Sequence, residues 1–155
     1  MFCIAVHALV YLNHADQVLS SEEIAKNVCT NPVLIRKVMS KLKKAGIVEA
    51  KGGNTGGYEF TADAEALTLE KIATTIEMRF VAPPWQSGDI DKECLISSGM
   101  GALMENIFSQ LEEQCRKNLR KITVADIDRE LFKNKKEPAC KKAKASDKDS
   151  GQKVR

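Results

Sequence analysis

The stretch LSSEEIAKNVCTNPVLIRKVMSKLKKAGIVEAKGGNTGGYEF, residues 19–60, decides the fold. Ser20 stands three residues before Glu23, the spacing at which an N-cap hydroxyl and an N3 carboxylate satisfy each other's backbone N–H groups. Ile24, Ala25 and Val28 form a short apolar face behind that cap, so a helix of about two turns is predicted. After Cys29-Thr30, Asn31 is an N-cap residue. Pro32 takes the first helical position, where its missing N–H costs nothing. The helix that begins there stops at Gly46, a residue suited to the left-handed position just past a helix end. A strand over Ile47–Lys51, a Gly52-Gly53-Asn54-Thr55-Gly56-Gly57 tip and a strand over Tyr58–Thr61 then form a hairpin. The glycines and Asn54 supply its positive φ angles. Two strands alone are marginal, so the hairpin has to lean on the helices before it.

Upstream, Phe2, Ile4, Ala5, Ala8, Leu9 and Leu12 recur at helical spacing, predicting a first helix over Phe2–Asn13. Three helices followed by a glycine-tipped hairpin is the order of a winged helix-turn-helix. Downstream, Thr68 caps a helix that runs through Glu77, and residues 79–93, with Pro83-Pro84-Trp85 and Ser87-Gly88, read as a loop or hinge. Met100, Leu103, Met104, Ile107, Phe108, Leu111, Cys115 and Leu119 then mark the longest helix. Met100, Met104, Ile107, Leu111, Cys115 and Leu119 lie close to a heptad seam that suits a two-chain interface. A last helix covers Val124–Phe132, and the lysine-rich end has too few apolar residues to fold. The fold class is mainly α with a small β-hairpin wing. The expected organisation is a winged helix-turn-helix DNA-binding domain over 1–77, a hinge over 78–96, dimerisation helices over 97–132 and a basic disordered tail over 133–155.

The chain has 155 residues, 43% of them hydrophobic and 5% aromatic, enough for an ordinary core. No apolar stretch approaches the roughly 20 residues that a membrane span needs. Met1–Leu12 lacks the basic start and small-residue cleavage site of a secretory signal. A soluble, cytoplasmic protein is expected, in which the five cysteines form no disulfide framework. The net charge of +3 is unevenly spread. Arg36, Lys37, Lys41, Lys43 and Lys44 stand between Asn31 and Gly46 with no acid among them, the middle of the chain is acidic, and the tail is basic.

On the third helix Ile35, Val38, Met39 and Leu42 share one face, and Val33, Arg36, Lys37, Ser40 and Lys44 gather on the other. One side packs and the other is cationic. Such a helix fits the major groove of B-form DNA, its N-terminal residues nearest the base edges and its later lysines nearer phosphate. Asn31, Val33, Arg36 and Lys37 are therefore candidates for base contact, Lys41, Lys43 and Lys44 for the backbone, and Thr30 and Ser40 are further DNA-binding candidates. On the wing, Lys51, Asn54, Thr55 and Gly56 are candidates for phosphate or minor-groove contact. An ordinary solvated lysine face is the plain alternative, and the order of cap, Asn-Pro helix start and hairpin argues against it. The glycine loop lacks the Gly-Lys-Ser/Thr ending of a nucleotide-binding loop and joins two strands.

The runs Leu19–Ala25, Thr30–Val33 and Lys41–Val48, closed by Gly56-Gly57-Tyr58, resemble the Rrf2 family of bacterial transcription regulators. That family includes the iron–sulfur cluster assembly regulator, the nitric-oxide-sensing repressor and the cysteine-metabolism repressor. The resemblance is close over residues 2–77 and extends by pattern over 94–132. It implies a homodimer, a long helix crossing to the partner, and binding to a palindromic operator in double-stranded DNA. There are departures. Family members usually have several residues before the first helix, so the native start is expected upstream of Met1, and Gly52 stands where many members have an arginine before the wing glycines. Cluster-binding members carry three cysteines in the loop leading into the long helix. Cys94 matches the last of them, while Ala82 and Gly88 occupy the other two positions, so no iron–sulfur cofactor is expected.

Cys29 and Cys94 are instead candidate redox thiols, since a lone thiol near a positive group or helix start can sense oxidants. On the blander reading these two are merely tolerated, Cys3 and Cys115 are core, and Cys140 is a tail residue. His7 and His14, without a third ligand, read as packing and surface residues rather than a metal site. The expected function is a sequence-specific DNA-binding transcription regulator, a homodimeric repressor answering a small-molecule effector or a redox signal. The alternative is a protein-interaction module that uses the winged helix and long helix without reading DNA. An enzyme is not expected, because no nucleophile–His pattern, carboxylate pair or metal triad is present.

Overall fold

The structure, a computed structural model, describes residues 1–53, 56–83, 85 and 88–133. Helix α1 (Phe2–Ala15) buries Ala5, Ala8, Leu9, Val10 and Leu12, and ends at Asp16 in the left-handed region. In α2 (Ser21–Val28) the expected capping box is formed: the Ser20 hydroxyl oxygen accepts from the Glu23 N–H at 3.2 Å, and the Glu23 carboxylate accepts from the Ser20 N–H at 2.8 Å. Helix α3 (Pro32–Lys44) starts on Asn31, whose Oδ1 accepts from the Leu34 N–H at 2.9 Å. Gly46 then takes a φ of 69°, and the chain reverses so that the Ile47 N–H reaches the Leu42 carbonyl at 3.0 Å. This backbone bond holds Ile47 to the end of α3, and the strand begins one residue later than its apolar pattern predicts.

Strands β1 (Val48–Lys51) and β2 (Gly57–Phe60) pair antiparallel, with Val48 opposite Phe60 and Lys51 opposite Gly57. The support a lone hairpin needs comes from Leu19, which exchanges both backbone bonds with Tyr58 at 3.0 and 2.8 Å. Gly57 permits this approach, because a Cβ there would lie 2.3 Å from the Leu19 carbonyl oxygen. The wing is thereby sewn to the residue that leads into α2.

Helix α4 (Leu69–Thr75) follows, then α5 (Leu95–Leu119) and α6 (Val124–Phe132). Leu9, Leu12, Ile24, Ile35, Met39, Leu42, Ile72 and Val124 are fully buried together. Burying each such side chain contributes about 1.5–3 kcal/mol. Val124 shows that α6 shares a core with α1, although it follows α5 in sequence and is grouped with it by pattern. Backbone bonds from Val124 to Leu67 and from Ala125 to Ala64, at 3.0 and 3.1 Å, dock its first turn. A second capping box, between Thr123 and Asp126, starts it.

Helix α5 differs in kind. None of its 25 residues is buried, and Leu95, Ile96, Leu103, Ile107 and Leu111 are exposed. It begins at Leu95, five residues before the first seam residue Met100, with Cys94 as its N-cap. Its hold on the rest of the chain is largely polar, with Leu119 of its last turn packed against the core. Arg116 donates from Nε to Glu112 at 2.8 Å, from Nη1 to Glu70 at 3.2 Å and Thr74 at 2.9 Å, and from Nη2 to the Met78 carbonyl at 2.6 Å. The Glu112 carboxylate in turn accepts the N–H groups of Phe80 and Val81 at 2.9 and 2.8 Å.

Two expectations about the interior are corrected. Cys3 is exposed and Cys115 only half-buried, so neither is core. Cys3 lies in the first turn of α1, beside the groove towards α6 rather than on the face of Ala5, Ala8 and Leu9. Trp85, in the segment between α4 and α5, is 76% exposed. The tail beyond Lys133, with Cys140, lies outside the described residues. No helix among the described residues is long and apolar enough to cross a membrane.

Candidate nucleic-acid interface

Helix α3 is two-faced, as its periodicity requires. Ile35, Val38, Met39 and Leu42 are completely buried or nearly so, while Asn31, Val33, Arg36, Lys37, Ser40, Lys43 and Lys44 are exposed. Val33 is an apolar residue 66% open to solvent, in the first turn of a cationic face. Asn31 has its Oδ1 committed to the helix start, and Thr30 is half-buried beside it.

Three of the candidate cations are engaged within the protein. Arg36 donates from Nη1 to the Ser21 hydroxyl oxygen at 2.9 Å and to the Glu22 carboxylate at 3.0 Å, both in the first turn of α2. Lys41 is half-buried. Its ammonium donates to the Ile76 carbonyl at 3.2 Å and to the Glu77 carboxylate at 2.5 Å, so it points to the end of α4 rather than along the cationic face. The Lys41 ammonium, by hydrogen bond and then by charge, holds the Glu77 carboxyl below its usual range. Glu77 itself has a φ of 59°, an uncommon conformation for a residue with a side chain. On the wing, Lys51 pairs with Glu59 at 2.6 Å. Glu49 stands across from Glu59, so the wing strands carry more acid than base. Asn54 and Thr55 lie outside the described residues, and Gly56 is half-buried. Helix periodicity located Arg36, Lys37 and Lys44. It did not reveal Ser21, Glu22 or Glu77, because their partners lie on other helices.

The candidate thiols differ from each other. Cys29 is the exposed left-handed residue that closes α2, 3.9 Å from the carbonyls of Lys26 and Asn27. Cys94 is exposed at the start of α5, where the backbone N–H groups of Ser97 and Ile96 pull its thiol pKa below the ordinary value. A cleft of about 500 Å³ opens beside it, lined by Gly88, Asp89, Ser97, Ser98, Gly101 and Glu105. Among the described residues, no three His, Cys, Asp or Glu side chains come together in a way that could hold a metal ion. His7 hydrogen-bonds Asn27 at 3.0 Å, and His14 stacks on Phe132 with the ring centres 4.3 Å apart.

Comparison with known proteins places this geometry. YwnA of Bacillus subtilis strain 168, described as an HTH-type transcriptional regulator, is 26% identical over 131 residues, covering 83% of this chain and 95% of its own. Among solved structures, a Lactobacillus plantarum protein assigned as a transcriptional regulator is 25% identical with a TM-score of 0.71, over 84% of this chain and 88% of that one. IscR of T. potens, at 17% identity, shares the fold with a TM-score of 0.62 over 83% of each chain. Staphylococcus aureus CymR in its oxidised form, at 16%, shares it with a TM-score of 0.58, over 81% of this chain and 90% of its own. The family model described as an iron-dependent transcriptional regulator, Rrf2, matches residues 1–130, so the chain belongs to the Rrf2 family of transcriptional regulators.

Proposed function

We propose that the protein is a homodimeric, sequence-specific DNA-binding repressor that sets α3 of each subunit into successive major grooves of a palindromic operator. The observation that carries this reading is the exposed face of α3. Val33, Arg36, Lys37, Ser40 and Lys44 stand out from a helix whose other face is fully packed, and the helix itself contains no acid. An α-helix with that division suits the major groove. The apolar side chains that α5 leaves exposed, Leu103, Ile107 and Leu111 among them, support a second copy as the partner. A symmetric dimer places recognition helices about 34 Å apart on one face of DNA. Arg36 and Lys37 read bases, and Lys43 and Lys44 bind phosphate, whereas Lys41 and Lys51 contribute less because Glu77 and Glu59 already hold them. The signal arrives at the loop before α5, either as a small molecule in the cleft beside Ser97 or as oxidation of Cys94.

Selection of bound DNA from a random pool tests this, repeated with reduced and oxidised protein. A palindromic consensus is expected. Lys43→Ala or Lys44→Ala should weaken binding to all DNA and reduce the salt slope by about one for each phosphate that is no longer neutralised. Ile107→Glu, placed in the exposed seam, should yield monomers in sedimentation and lose the operator. A pool with no enriched sequence would remove the repressor reading and favour docking on another protein.

A further inference from the structure

We propose that Ser21 and Glu22 are positioning residues that preset Arg36 to read a guanine in the major groove. The inference rests on the DNA-binding reading of α3 and adds how its one arginine is aimed. Arg36 is held through a single nitrogen: Nη1 spends its two hydrogens on the Ser21 hydroxyl oxygen and the Glu22 Oε1. Ser21 is itself buried, and its hydroxyl donates to the other Glu22 oxygen at 3.0 Å, which closes a three-membered ring of hydrogen bonds. The ring is anchored in the first turn of α2. There the Glu22 carboxyl is held below its usual range chiefly by its own backbone N–H and then by the Ser21 hydroxyl, with Arg36 adding to both.

Among the described residues, Nε and Nη2 of Arg36 have no protein partner. Those two nitrogens form one complete edge of the planar guanidinium, with the two parallel donors that a bidentate pair with guanine N7 and O6 requires. An acid at the front of α2 repels nearby phosphates, so its presence weakens binding in general. What it returns is orientation: an arginine already restricted to one rotamer loses less freedom when it meets its base. The exposed donors of Arg36 themselves disfavour a cytosine or adenine amino group, which is also a donor and offers them no acceptor.

The test uses the full-length dimer and the operator recovered by selection. Arg36→Ala first identifies the base position whose preference disappears. Competition titrations then compare guanine with adenine at that position for wild type, Glu22→Gln and Ser21→Ala, with thermal melting to establish that each variant is folded. Both variants should lose about 2- to 12-fold of the guanine preference, the factor expected for freeing one long side chain. Affinity for random DNA should stay level or rise for Glu22→Gln, since an acid has been removed. In the Arg36→Ala background, Glu22→Gln should change no preference. An undiminished guanine preference in Glu22→Gln would overturn the positioning role, and a sharpened one would show instead that Glu22 competes with DNA for Arg36. Full base preference surviving Arg36→Ala would overturn the base-reading role of α3 itself, an outcome separate from either.

Discussion

Replacing Arg116 by Met should cost about 3 kcal/mol of stability, far more than a surface charge normally carries. The guanidinium uses all three nitrogens on four acceptors: Glu112, Glu70, Thr74 and the Met78 carbonyl. Arg116 and Glu70 are each 20% exposed and Glu112 is 12% exposed, so the group is mostly shielded from water. Breaking a fully buried pair costs about 3–5 kcal/mol, and an exposed pair contributes only about 0.2–1 kcal/mol. Partial solvation of the two abandoned carboxylates places this site at the lower end of the first range. Methionine keeps the apolar stem, so the loss reports the polar head. Urea unfolding at one fixed protein concentration measures it, and with a slope of about 2 kcal/mol per molar the midpoint should fall by about 1.5 M. Arg116→Lys should recover less than half, because one ammonium cannot replace a planar fork of donors. A loss below about 1 kcal/mol for Arg116→Met would refute the reasoning and mean that α5 is held to α4 by something other than this cluster.

Two further outcomes follow from local geometry. Gly57→Ala puts a Cβ 2.3 Å from the Leu19 carbonyl oxygen, a backbone atom that cannot step aside alone. The pairing of Leu19 with Tyr58 should open at a cost of about 1–3 kcal/mol, read as faster amide exchange at Leu19 and Tyr58 and weaker DNA binding. The Asp126 carboxyl is pulled from its ordinary 3.8 to about 2, first by the Thr123 backbone N–H, then by Arg129 and the Thr123 hydroxyl. The folded group therefore releases its proton at lower pH than the unfolded one. Its contribution is complete above about pH 4 and is lost as the pH falls towards 2. Asp126→Asn should flatten the decline of the urea midpoint over that interval, and an unchanged decline would show that the capping box is not its source.

The local pattern located most elements because the features that start and stop them are local. Ser20 with Glu23, Asn31 with Pro32, and Gly46 are each satisfied within a few residues, so caps and turn chemistry were legible directly. The long helix begins at Leu95, two residues before the expected start at 97, because an exposed helix leaves no apolar periodicity over its first turn. The interface was half legible. Periodicity separated the packed from the cationic face of α3, but it could not tell a free cation from an engaged one. Lys41 and Lys44 are equal as letters, yet Glu77 takes the first and the second is exposed. Glu59 likewise occupies Lys51 across the hairpin, which only the register of the strands reveals.

By itself, then, the sequence determined the winged-helix order and the cationic helix α3 with its buried face, both of which depend on spacing along the chain. Tertiary structure alone decided that α6 returns to the core of α1, that α5 is left with no buried residue, and that Arg36 is hydrogen-bonded to the first turn of α2. Each of these depends on groups 14 or more residues apart, such as Arg36 with Glu22 or Arg116 with Glu70. A hydrogen bond is made by distance in space, and spacing along the chain specifies that distance only within a helix turn or a hairpin.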